Sequence, residues 1–145
     1  MWRLVAIMLL SFGVSSPVFA QESCAKADFE AVVDEAAAVL NDLNAKHKPA
    51  FQVLLRQLKE KRGWDHDTFM REAVPYVQDE QIAQYDQQTA DYLMRISTLG
   101  EEGATAVVPD CKMLVEVRET MEGLVESQKA KWKYMFEKIE RELRQ

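Results

Sequence analysis

The stretch Leu43-Asn44-Ala45-Lys46-His47-Lys48-Pro49-Ala50-Phe51-Gln52-Val53-Leu54 decides how many helices this chain makes. Apolar side chains enter it from Phe29, Val32, Ala36 and Leu40 and leave it through Phe51, Leu54 and Leu58, about one helical turn apart. The register survives Pro49. A proline inside a helix removes the bond to the carbonyl four residues earlier, here Ala45, and kinks the rod. A hairpin at Pro49 would instead split the region in two and give a four-helix bundle.

The two cysteines separate these topologies. Cys24 follows Ser23 and Cys111 follows Asp110, both N-cap residue types, so each cysteine opens a helix. In four alternating helices the first and last start at opposite ends, and a disulfide needs Cα atoms within about 7 Å. With Pro49 as a kink, three helices run up, down and up, and the two thiols meet. The sequence therefore predicts an all-α fold, an elongated up-down-up three-helix bundle with kinked helices and coiled-coil-like stripes, tied by one Cys24–Cys111 disulfide. The four-helix bundle is the alternative.

Glycine and proline are scarce (5 and 4 residues), which favours helix. The second helix is expected from an N-cap at Asp65 or Asp67, through Pro75, to a left-handed cap at Gly100, with a separate short helix before Pro75 as the alternative because the apolar register slips there. Residues 101–109 read as the linker. The third runs from Asp110 along Leu114, Val117, Met121, Leu124, Gln128, Trp132, Met135, Ile139 and Leu143, with Gly123 a weak point inside it. The three spans are expected to match at roughly 50 Å each, at 1.5 Å per residue.

Arg3, the apolar run from Leu4 to Val14, the helix breaker Pro17 and the small residues of Val18-Phe19-Ala20 read as a cleaved secretory signal peptide at 1–20. The run is too short for an anchor that spans the membrane, which needs about 20 residues. Glu22 argues against lipid attachment at Cys24. One domain, 21–145, is then expected in the periplasm or the secreted fraction, without stable membrane insertion. An oxidising compartment suits a disulfide.

The formal charge of −6 argues against non-specific nucleic-acid binding. Acidic residues gather towards the cysteine end and basic ones towards the other, as two helix dipoles of the three require. The basic end, Lys129, Lys131, Trp132, Lys133, Tyr134 and Phe136, is also the candidate surface for a partner. Bends at Pro49 and Pro75 lie at one height and are expected to open a small apolar cleft beside Trp132 and Phe136.

Asp65, His66 and Asp67, with His47, form the only ligand-like group of side chains, a weak metal candidate because Asp65 and Asp67 also serve as caps. The methionines fall at wide intervals on helical stripes, as gap-filling core residues do. No nucleophile motif, Gly-rich phosphate loop, Cys-x-x-Cys or haem-attachment motif is present, so no catalytic residue and no cofactor is expected. The function expected is non-enzymatic: a binding or adaptor protein, inhibitor or chaperone-like module for a protein partner of the cell envelope. The alternative is a carrier of metal, haem or a small apolar ligand. The thinly apolar second helix also suggests a homodimer.

Overall fold

A computed structural model describes residues 24–145, and the expected signal peptide lies outside them. The N-cap of α1 is Ala25 and not Ser23, so Cys24 precedes the helix instead of opening it. The chain is helical, in the order α1 (Lys26–Arg62), α2 (His66–Glu72), α3 (Val74–Val77), α4 (Glu80–Thr105) and α5 (Cys111–Arg144). No strand occurs among the described residues. None of their helices is long and apolar enough to cross a membrane.

Helix α1 runs unbroken through Pro49, so the hairpin is excluded. Its start is fixed by the Asp28 carboxylate, which accepts from the Ala25 N–H at 2.8 Å. It stops at Gly63, whose φ of 65° is left-handed backbone that glycine adopts without a Cβ penalty. Lys59, Lys61 and Arg62 occupy its last turn, where cations complement the dipole.

The disulfide joins Cys24 to Cys111 with 5.0 Å between Cα atoms, at the start of α1 and of α5. At the far end Arg62 pairs with Glu142 at 2.9 Å, and Lys61 donates to the Leu143 carbonyl at 2.7 Å. The two long rods are therefore parallel. Contacts of late α4 with early α5 (Arg95 with Glu116) and of early α4 with late α5 (Asp86 with Lys131) make α4 antiparallel to them. This is the up-down-up bundle.

Two parts of the descending limb differ from expectation. First, it is not one bent helix. Asp65 caps α2 by accepting from Thr68 N–H at 2.8 Å, and Asp79 caps a new helix, α4, by accepting from Ile82 N–H at 2.8 Å. At 26 residues α4 is about 39 Å long, so the spans do not match, and α2 and α3 fill the remainder. Second, Gly100 does not end the helix. It is buried inside α4, as is Gly103, and the linker shrinks to residues 106–110. A Cβ at Gly100 would lie 2.5 Å from Val33, and one at Gly103 would enter the Phe29 ring. Their missing side chains let α4 lie directly on α1.

Apolar burial falls into two clusters. The upper one holds Phe29, Val32, Ala36, Ile96, Leu114, Val117 and Leu124 beneath the disulfide. The lower one holds Phe51, Leu58, Ile82, Trp132, Met135 and Ile139. Between them Ser127 donates to Gln88 at 3.0 Å and Gln128 donates to Thr89. A satisfied polar layer of this kind fixes the register of α4 against α5, because any slip would bury unpaired amides. Gly123 has a use as well: the Tyr92 ring lies where its Cβ would be, at 2.9 Å.

Candidate functional site: an aromatic cleft between α1, α3 and α5

The lower cluster is aromatic because the stripes of α1 and α5 bring His47 and Phe51 opposite Trp132 and Phe136. His47 stacks on Trp132 with 5.4 Å between ring centroids, and Phe51 meets the Phe136 edge at 5.5 Å. Burial and the neighbouring Lys46 charge push the His47 imidazole below its ordinary pKa, so it is neutral at pH 7.

Beside these rings lies an open cleft of about 470 Å³. Its apolar wall is Phe51, Leu55, Val77, Trp132 and Met135; its polar edge is Asn44, Lys48 and Gln52. The arrangement follows from helix geometry. Residues 44, 48 and 52 stand four apart and form one row along α1, while 51 and 55 form the next row inward. Val77 reaches the cleft because the chain breaks at Gln78, leaving the short helix α3 where a continuous rod would have passed. Neither Pro49 nor Pro75 is in the lining, although Lys48 and Val77 stand close to them in sequence. Trp132 is in the cleft's wall, whereas Phe136 packs behind it on Phe51 and His47.

Trp132 is 8 % exposed, and its Nε1 is a buried donor with no acceptor in the protein. Lys48 on the rim has no carboxylate partner among the described residues. No carboxylate lines the cleft.

The basic end is differently disposed. Lys131 pairs with Asp86, Lys129 with Glu126 at 2.9 Å, and Lys133 with Glu137 at 3.8 Å. Tyr134 donates to Asp79 at 2.7 Å. Lys138 completes that knot, donating to Asp79 and to the Pro75 carbonyl at 2.6 Å. Desolvation alone would raise the Asp79 carboxyl. The hydrogen bonds from Lys138, Ile82 N–H and Tyr134, with the Lys138 charge, outweigh it and lower the group to about 2. The bond to Asp79 in turn raises the Tyr134 phenol above its ordinary value.

His47 and the Asp65-His66-Asp67 turn are not brought together: about 24 Å of helix axis separates His47 from Gly63. Asp65 is occupied as a cap, and the Thr68 N–H it accepts lowers its pKa. Among the described residues no three His, Cys, Asp or Glu side chains converge to hold a metal ion.

Sequence reading missed the polar row Asn44, Lys48 and Gln52, Val77 as a wall, and the knot at Asp79. The i, i+4, i+8 spacing beside Pro49 was the one available signal for the row. Gln78-Asp79-Glu80 reads equally well as a solvated helix face. No protein family, curated protein or solved structure matches the chain.

Proposed function

We propose that the chain is a non-enzymatic binding protein of an oxidising compartment outside the cytoplasm, and that the aromatic cleft is its binding element. The observation that carries this reading is the open cleft itself, walled by Phe51, Leu55, Val77, Trp132 and Met135 and edged by Asn44, Lys48 and Gln52. Apolar walls with a few polar groups at the edge are what ligand sites are made of. The basic end supports binding less well, because several of its cations and Tyr134 already hold the protein's own helices. The partner is expected in the cell envelope.

Native mass spectrometry of the tagged full chain, recovered from the envelope fraction of the producing cells, tests the reading. Val77 is 45 % exposed, so Val77→Glu alters the cleft without entering the core. A co-purifying molecule lost with Val77→Glu and kept with Lys129→Glu/Lys133→Glu supports the cleft. A molecule kept with Val77→Glu, or lost only with the charge reversals, overturns it.

A further inference from the structure

We infer that the cleft takes a small monoanionic amphiphile: a single alkyl chain ending in a carboxylate. The inference rests on the binding reading and deepens it, naming the chemical class of the occupant. The charge inventory is one-sided. Lys48 is the only ionisable side chain in the lining, it lacks a carboxylate partner among the described residues, and no acid faces it across the cleft. Asn44 and Gln52 flank it four residues away on either side, adding amide donors to the same row. Three donor-bearing side chains in line beside an apolar wall match a carboxylate head.

The apolar part has a path. Phe51, Leu55, Trp132 and Met135 form the inner wall, and a volume of about 470 Å³ is in the range of sites for small ligands. Val77 is shared with a second groove of about 480 Å³, floored by Ile82 and Ala83 and edged by Gln78, Gln87 and Asp86, the last paired with Lys131; an alkyl tail would lie along the Val77–Ile82 side. A neutral hydrocarbon would leave Lys48 unanswered.

Titration of the full chain with laurate, read from the indole N–H resonances in ¹H–¹⁵N spectra, tests this. Trp132→Phe assigns the Trp132 signal, and Trp64, outside the cleft lining, is the internal control. Laurate is expected to shift Trp132 and not Trp64, and to bind more tightly than dodecanol. Lys48→Gln, at an exposed position, is expected to weaken laurate about fivefold and leave dodecanol unchanged. Equal affinity for laurate and dodecanol, insensitive to Lys48→Gln, would overturn the anionic head while leaving the cleft reading intact. A laurate response at Trp64 alone would overturn the site. If neither compound binds while Val77→Glu still releases a co-purifying polypeptide, the amphiphile is wrong and the binding reading stands. If nothing binds the cleft and nothing co-purifies, both fall.

Discussion

The Tyr134 hydroxyl donates to one oxygen of Asp79 at 2.7 Å while the other oxygen of the same carboxylate caps α4. One side chain thus starts a helix and fastens it to its neighbour, and Lys138 adds its charge to the same oxygen that Tyr134 holds.

That carboxyl contributes to the acid limb of stability. Its folded pKa, about 2, lies below the ordinary 3.8, so the unfolded chain binds more protons between those values. The contribution, about 2 kcal/mol, is complete above pH 3.8 and is lost as pH falls through 2. Asp79→Asn should flatten stability against pH over this window, measured by urea denaturation at a series of pH values. An unchanged acid limb would contradict the knot. Tyr134→Phe should cost about 1 kcal/mol at neutral pH.

Closing 87 residues of chain separation with the Cys24–Cys111 bond should stabilise the fold by about 4–5 kcal/mol in the entropic account, and often less in practice. Reductant should lower the urea midpoint accordingly. A thiol assay on unreduced protein should find no free sulfhydryl among Cys24 and Cys111. Two titratable thiols would remove the covalent tie.

The glycines of α4 and α5 should respond oppositely to alanine. At Gly103 the new methyl would enter the ring of Phe29, which is wholly buried and cannot swing away, so Gly103→Ala should cost about 1–3 kcal/mol. At Gly123 the obstacle is the outer edge of a half-buried Tyr92 ring, which can rotate, and alanine gains up to about 1 kcal/mol of helix propensity. Gly123→Ala should be near neutral. Equal effects in urea denaturation would refute the close packing at Gly103.

His47 should titrate below the ordinary 6.5, because burial and Lys46 disfavour its charged form. The unfolded chain then binds more protons between the lowered value and 6.5. The neutral imidazole's stabilising effect is complete above 6.5 and is lost as pH falls through the lowered value. NMR titration of the His47 ring protons checks the direction; a value above 6.5 would contradict the dominance of burial and of the Lys46 charge at this ring.

Topology was legible because it rested on two local signals that agree: an apolar register that survives Pro49, and a cysteine beside the start of each parallel helix, although only Asp110 of the two expected caps is one, since Ala25 takes that place on α1. The disulfide turned those into a choice between three helices and four. The descending limb was less legible for a physical reason. Glycine ends a helix by adopting positive φ, and it also lets two helices touch by lacking a Cβ. The sequence around Gly100 looks the same in both cases, and only Val33 and Phe29 on another helix decide it. Asp79 is ambiguous in the same way, since an acid between Gln78 and Glu80 suits either a cap or a wet surface. An apolar cleft beside Trp132 was expected from bends at Pro49 and Pro75, yet neither proline lines it and Val77 does. The cleft's chemistry could not be anticipated, because Lys48 and Trp132 become neighbours of one cavity only after α1 and α5 align.

The sulfur bridge also determines how the molecule would answer a mechanical pull. Tension applied between the segment before Cys24 and Gln145 passes straight from Cys24 to Cys111 and enters α5 alone. Everything between the cysteines lies outside the path of the force. Stretching would unravel the 34 residues of α5, roughly 120 Å of contour, and then meet a covalent stop with α1 and α4 still on a closed loop.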